Sequence, residues 1–328
     1  MAKAKKEKLS HIAPLRGQVI KSTGSSYLVR LHSGEEIHCR IKGNFRIKGI
    51  RTTNPVAIGD IVEITLSDDD TQYITSILPR KNYIIRRASN LSKESHILAS
   101  NIDQAILVIS IVNPATPTTF TDRFLATAEA YNVPAIIAIN KADLWDADDS
   151  GLARAIAALY NSLGYQTLLL SAHSGVGLDT LRSLTKDKIT LMAGNSGVGK
   201  SSLINALAPE AKLRTGAVSD LHHTGTHTTT FSEMVNLPYG GQLIDVPGVK
   251  GFGVIDFDPA EVSHFFPEIF KISAGCRYSD CSHTGEPGCA VIPAVEQHLI
   301  AQSRYASYLS ILEEASEADG ADKYRKPF

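Results

Sequence analysis

Gly194-Asn195-Ser196-Gly197-Val198-Gly199-Lys200-Ser201 satisfies the pattern G-x-x-x-x-G-K-[ST], between an apolar run, Ile189 to Met192, and a stretch of helical composition, Ser202 to Leu207. A buried strand, a glycine-rich loop and a helix, in that order, are the context the pattern requires. Glycines let backbone N–H groups curl around an anion, and the positive end of the following helix adds to the attraction. Lys200 is expected to reach the β and γ phosphates of a bound nucleotide, with the Ser201 hydroxyl on Mg²⁺ and Ser202 beside it. With glycine at about 7% of residues, such a match arises by accident in roughly one chain in a hundred of this length.

Upstream, Asn140-Lys141-Ala142-Asp143 closes the apolar, β-branched run Val133 to Ile139, and so sits at the C-terminal end of a predicted strand. Open parallel sheets bind ligands at that edge. One Asp143 carboxylate can accept from both N1–H and the 2-amino group of guanine. Adenine offers neither donor, and the carboxylate would be left desolvated and unpaired. The next predicted strand, Gln166 to Leu170, delivers Ser171-Ala172-His173, where a backbone N–H can meet the guanine O6. Downstream of the phosphate loop, Asp245-Val246-Pro247-Gly248 is a D-x-x-G: Asp245 for Mg²⁺ through water, the Gly248 N–H for the γ phosphate. Between them, Thr224 to Thr230 is too polar for a core element; it suits a loop supplying a threonine to Mg²⁺, Thr229 or a neighbour, and His227 to chemistry. An ordinary small GTPase has its phosphate loop first. Here the guanine motif comes first, which implies a circularly permuted GTPase.

Three of the four cysteines cluster with a histidine as Cys276-x4-Cys281-x-His283-x5-Cys289. Three thiolates and one imidazole make a closed tetrahedral set for a structural Zn²⁺. An odd number of clustered cysteines is a poor disulfide framework. Cys39 reads as an ordinary half-buried residue.

The order N-K-x-D, S-A, G-N-S-G-V-G-K-S-S, H-T-T-T, D-x-P-G resembles the bacterial circularly permuted, small-subunit-dependent GTPases of the RsgA or YjeQ family. The resemblance implies an OB-fold RNA-binding domain over residues 1–82, a permuted α/β P-loop GTPase domain over 83–254, and a mainly helical zinc-binding domain over 255–328. It also implies binding to the 30S ribosomal subunit and its 16S rRNA, a role in late subunit maturation, and hydrolysis that times release. Val249 follows the D-x-x-G where classical GTPases often carry glutamine, and it cannot hydrogen-bond water. The resemblance assigns the attacking water to His227, whose imidazole titrates near ~6.5. The segment after Gly248 runs directly into the zinc-bearing region, so γ-phosphate contacts there are expected to reposition it.

The net charge of −1 hides an asymmetry: residues 1–87 hold 16 Lys and Arg against 8 Asp and Glu, and the remainder 17 against 26. A basic third suits a polyanion. Within it, Gly17 to Leu31, Glu36 to Ile41, Pro55 to Leu66 and Gln72 to Leu78 alternate apolar and polar residues, as short strands of a small barrel do. The Pro55–Asp60 turn resembles those of OB-type RNA binders, and Lys42, Arg46, Lys48 and Arg51 around Phe45 form a basic loop. Pro79 to Ser100 reads as a polar linker, and Ala294 to Ala315 as one long helix. The longest apolar run, Ala105 to Val112, is far short of the ~20 residues a membrane span needs, and no signal segment is evident. A cytoplasmic monomer is expected. Two rivals stand beside the GTP hydrolase: a P-loop kinase with a second substrate, and an RNA-binding regulator that senses GTP without turnover.

Overall fold

The computed structural model describes residues 14–23, 26–41, 55–66, 71–87, 95–213, 232–246 and 257–323. Five strands, β1 (Leu15–Ser22), β2 (Tyr27–Leu31), β3 (Glu36–Ile41), β4 (Ile61–Leu66) and β5 (Gln72–Ile77), pair in the order β1-β2-β3-β5-β4, and β1–β4 pairing closes the barrel. The parallel β3–β5 contact among antiparallel neighbours is the OB arrangement. Val19, Val29, Ile37, Val62 and Ile74 point inward at alternate positions and fill the interior. Cys39 is among them, fully buried rather than half-buried, and burial pushes its thiol up to about 11. The run Gly17–Leu31 is two strands rather than one.

The expected linker is instead a hairpin, β6 (Tyr83–Arg87) with β7 (Ser95–Ser100). Ile84, Ile97, Leu98 and Ala99 are buried there, so a short β-branched seam outweighs the polar composition around it.

Strands β8 (Gln104–Ser110), β9 (Ala135–Asn140), β10 (Gln166–Leu169), β11 (Ile189–Ala193) and β13 (Gln242–Asp245) form a parallel sheet ordered β10-β9-β8-β11-β13. One further strand, β12 (Ser232–Asn236), runs antiparallel to β13 and carries the sheet on to β1 of the barrel. Every residue of β8 is buried because both faces are covered. Ala105, Leu107 and Ile109 pack with Phe120, Phe124, Leu125 and Ala128 of α1 (Thr118–Ala130) and with Tyr160 of α2 (Ala147–Ser162). Ile106 and Val108 pack on the other face with Leu181 of α3 (Leu178–Thr185) and Leu203, Ile204 and Leu207 of α4 (Lys200–Leu207).

The C-terminal unit joins a 3-10 segment, Pro259–Phe265, to α5 (Pro267–Ser273), α6 (Val291–Glu296) and α7 (Gln302–Lys323). The predicted single helix is broken between Glu296 and Gln302, where His298 takes a left-handed φ of 59°. Ile300 is thereby buried in the unit's core with Phe266, Ile269 and Tyr308, instead of riding on a helix face. Ala126 of α1 belongs to the same core, so α1 faces the sheet on one side and this unit on the other. Among the described residues no helix is long and apolar enough to cross a membrane.

Candidate nucleotide site and metal centre

Parallel pairing sets Leu107 level with Ala193 and Ser110 level with Asn140, so β9 and β11 deliver their C-terminal loops to one sheet edge. From β9, Asn140 is 2% exposed and its side chain spans two other loops. Its Nδ2 donates to the Val198 carbonyl at 2.9 Å, while its Oδ1 accepts the Ala172 N–H at 3.3 Å. The guanine motif is therefore laced to the phosphate loop, 58 positions away. A Cβ on Gly199 would lie 2.3 Å from the Asn140 Nδ2, and the Gly199 φ is +97°, so glycine is required there for both reasons.

Lys141 adopts a left-handed φ of 71°, turning the chain into the 3-10 segment Ala142–Leu144. The Ala142 N–H donates to the Leu170 carbonyl at 2.9 Å. This turn presents Asp143 at the surface, where it accepts from the Ser171 hydroxyl. The Ser171 N–H is engaged by the Val176 carbonyl at 3.0 Å, which leaves the Ala172 N–H as the one bordering the guanine motif. Lys141 Nζ donates to the Asn113 carbonyl; burial lowers its pKa and the Asp143 charge partly offsets that.

Gly194, Gly197 and Gly199 all have positive φ, as a loop that turns its N–H groups inward requires. Gly194 also passes against β8, where a Cβ would come 2.2 Å from the Val108 carbonyl. Lys200 opens α4 at 7% exposure, its Nζ donating to the Gly194 carbonyl at 2.8 Å and the Asn195 carbonyl at 2.7 Å. Burial pushes this ammonium down to about 8, and the charge of Asp245, 1% exposed at the end of β13, works the other way. A phosphate chain would restore the favoured charge state. Asn195, Ser196, Ser201 and Ser202 lie with Lys200 in the loop and the first turn of α4. Thr224 to Thr230 with His227 and Thr229, Gly248, and the basic loop around Phe45 lie outside the described residues.

The sequence and the fold match known families. The RsgA GTPase model matches residues 77–255, and the RsgA N-terminal domain model matches residues 16–74. The chain belongs to the RsgA GTPase family. It is 57% identical to a Porphyromonas gingivalis protein named small ribosomal subunit biogenesis GTPase RsgA, over 95% of this chain and 99% of that one. A Phocaeicola vulgatus protein of the same name is 54% identical over 96% of this chain and 100% of its own length. Among solved structures, YjeQ from Thermotoga maritima is similar with a TM-score of 0.71 and 35% identity, covering 92% of this chain and 98% of that one. YloQ, described as a circularly permuted GTPase, has a TM-score of 0.66 and 32% identity, covering 97% of this chain and 98% of its own.

The second site of this RsgA-family chain lies in the C-terminal unit. Ligand atoms of Cys276, Cys281, His283 and Cys289 all lie within 4.8 Å of one another, and the set could hold a metal ion. His283 Nδ1 is 3.6 Å from Cys276 Sγ and 3.7 Å from Cys289 Sγ. Metal–sulfur bonds of about 2.3 Å and metal–nitrogen bonds of about 2.0–2.1 Å at the tetrahedral angle require sulfur–nitrogen edges of about 3.6 Å, which these two distances match. Burial lowers the pKa of His283 and favours the neutral imidazole that ligation needs. The loop is organised by Glu286, which accepts from the N–H groups of Ser282 at 2.7 Å and Thr284 at 2.8 Å. Burial opposes the Glu286 charge, but the Ser282 hydroxyl and these N–H groups outweigh it and hold the carboxyl at about 2.

The sequence offered no sign of what joins the C-terminal unit to α1. Arg304 of α7, 1% exposed, donates to Asp122 of α1 at 2.8 Å and twice to Glu268 of α5, at 2.7 and 3.1 Å, with its guanidinium over the Phe266 ring. Burial works against its charge, and Glu268 and Asp122 outweigh it, holding its pKa above the ordinary value. Ser307 and Tyr160 hydroxyls complete the shell of Asp122 at 2.6 and 2.8 Å.

Proposed function

We propose that this chain is a GTP hydrolase acting in biogenesis of the small ribosomal subunit, with its guanine nucleotide held between the β9 and β11 loops. The observation that carries this reading is the Asn140 side chain, which bonds the Val198 carbonyl and the Ala172 N–H at once. Two loops far apart in sequence are thereby tied into a single cradle.

In this reading Asp143 accepts from the guanine N1–H and 2-amino groups, Ser171 fixes the carboxylate, and Ala172 supplies an N–H near O6. Gly194 to Ser202 wrap the phosphates, with Lys200 exchanging its carbonyl partners for phosphate oxygens. Ser201, Asp245 and Thr229 would hold Mg²⁺, which when bound neutralises charge on the β and γ oxygens. His227 orients the attacking water, and Gly248 reads the γ phosphate. Water attacks the γ phosphorus as the bond to the bridging oxygen breaks, giving GDP and phosphate. Cys276, Cys281, His283 and Cys289 would hold a structural Zn²⁺.

We further propose the division 1–82, 83–254 and 255–328 into RNA-binding, GTPase and zinc-bearing domains. The basic barrel faces 16S rRNA of the 30S subunit, and the chain works in the cytoplasm as a monomer. An incomplete catalytic shell that the partner completes accounts for slow turnover alone and fast turnover on the subunit. Phosphate release measured with isolated 30S and 50S subunits, and with ATP as control, tests the reading. GTP turnover should rise on 30S alone and ATP should not be hydrolysed; indifference to 30S, or equal use of ATP, would contradict it.

A further inference from the structure

Helix α1 meets both sites through its N-terminal end. Ahead of it, the Asn113 carbonyl accepts from Lys141, inside the guanine motif. The loop between is pinned on itself: the Ser110 hydroxyl donates to the Pro114 carbonyl at 3.1 Å, the Ser110 N–H to the Thr116 hydroxyl at 3.2 Å, and the Thr116 N–H to the Ser110 carbonyl at 2.9 Å. A displacement of Asn113 therefore reaches the start of α1. One turn into that helix, Asp122 is fully buried and bonded to Arg304 and Ser307 of α7. From α7, the hydroxyl of Tyr305 donates to the His283 carbonyl at 2.6 Å, and that of Tyr308 to the Ser282 carbonyl at 2.8 Å. His283 is one of the four candidate metal ligands.

We propose that Asp122 and Arg304 are a positioning pair that links guanine seating at Asp143 to the geometry of the metal cluster through α1. This rests on the nucleotide and zinc readings above. The route is separate from any contact of Gly248 with a γ phosphate, because its nucleotide end is a residue of the guanine motif. GDP engages it fully while leaving the γ-phosphate contact unused, and GDP is therefore the diagnostic ligand. A buried ion pair serves this purpose better than an apolar contact, since its fixed donors permit one relative placement of α1 and α7 and penalise slippage.

Linkage between two ligands is reciprocal: whatever factor zinc contributes to GDP affinity, GDP must contribute to zinc affinity. The test uses the full-length chain, zinc-loaded and zinc-stripped, with GDP affinity read from Trp145. That is the sole tryptophan, two residues from Asp143, and the readout is checked by calorimetry. Stripping zinc should weaken GDP by about fivefold or more, and GDP should raise zinc affinity in competition with a chelating dye by the same factor. In Asp122→Asn, which keeps the side-chain volume, both ligands should still bind while the coupling falls below about twofold. Ser307→Ala removes one bond to Asp122 without stranding a charge and should give an intermediate coupling; if Asp122→Asn does not fold, Ser307→Ala decides. Unchanged GDP affinity on zinc removal, or full coupling retained in the folded variant, overturns the inference while leaving the nucleotide site intact. A wild-type chain that binds neither GDP nor zinc would sink the underlying reading and this inference with it.

Discussion

Where the barrel meets the central sheet a backbone ladder carries the junction, and where the C-terminal unit meets α1 the junction is made of side chains. On the barrel side β1 pairs with β12, Lys21 opposite Glu233 and Ser22 opposite Ser232, and the ion pair above that ladder is partly solvated, at 43% and 33% side-chain exposure. The turn Pro55–Asp60 adds a local knot. Asp60 accepts from Arg80 at 2.6 Å and from the Ser100 hydroxyl at 2.6 Å, and Gly59 fits against the Ser100 carbonyl. On the other side no strand crosses among the described residues, and the contact is held by the fully buried Asp122 and Arg304 with the partly buried Glu268. A ladder tolerates changes of side chain because its bonds belong to the main chain. A buried charge network has less tolerance, because removing one member leaves another's lost hydration uncompensated.

The largest effect is expected at Arg304. Arg304→Met leaves two buried carboxylates without their counter-charge and should cost about 3–5 kcal/mol in denaturant unfolding, with the loss concentrated in the C-terminal unit. A cost below about 1 kcal/mol would mean the unit is held by its apolar contacts alone. Next comes Gly59→Ala on the barrel side, where φ is +91° and a Cβ would lie 2.0 Å from the Ser100 carbonyl. A penalty of about 1–3 kcal/mol is expected there, visible as a lower melting temperature.

A measurement at the sheet edge that both junctions serve sharpens the contrast. Lys200 has a pKa of about 8 in the free protein, and phosphate oxygens must raise it in a complex. Binding then takes up a proton above that pH, so nucleotide affinity is full below about 8 and declines as pH rises through it. The slope should approach tenfold per unit, about 1.4 kcal/mol, in a calorimetric series. The same slope is expected in variants of either junction. The smallest effect belongs to Lys21→Ala, which should change stability by less than about 1 kcal/mol because the β1–β12 ladder survives it.

What the sequence disclosed divides along the same line. The phosphate loop, the guanine motif and the Cys3His set were legible because chemistry fixes both residue type and spacing at those sites. Glu36–Ile41 and the sheet strands were legible from alternation or continuous burial. The tie between Asp122 and Arg304 was not, since it joins common residues 182 positions apart and leaves no local pattern. The hairpin β6–β7 was hidden by charged neighbours, and the break before α7 by a left-handed histidine where glycine or proline would have announced it. The Pro55–Asp60 turn resembles those of OB-type RNA binders, yet Val56 is buried in the barrel core and Ala57, Ile58 and Asp60 are buried beside β6 and β7. Local turn chemistry identified the turn and said nothing of what would cover it.

In the proposed function a carboxylate on the β9 loop and the glycine loop after β11 act on one guanine nucleotide. Asp143→Asn tests it directly, because an amide keeps the acceptor for N1–H and replaces the acceptor for the 2-amino group with a donor suited to the 2-oxo group of xanthine. Titration followed at Trp145 should show GDP binding lost by at least about tenfold in the variant and xanthosine diphosphate binding gained, with ADP binding neither protein. Unaltered GDP binding by Asp143→Asn, or equal competition by ADP in the wild type, would contradict the account.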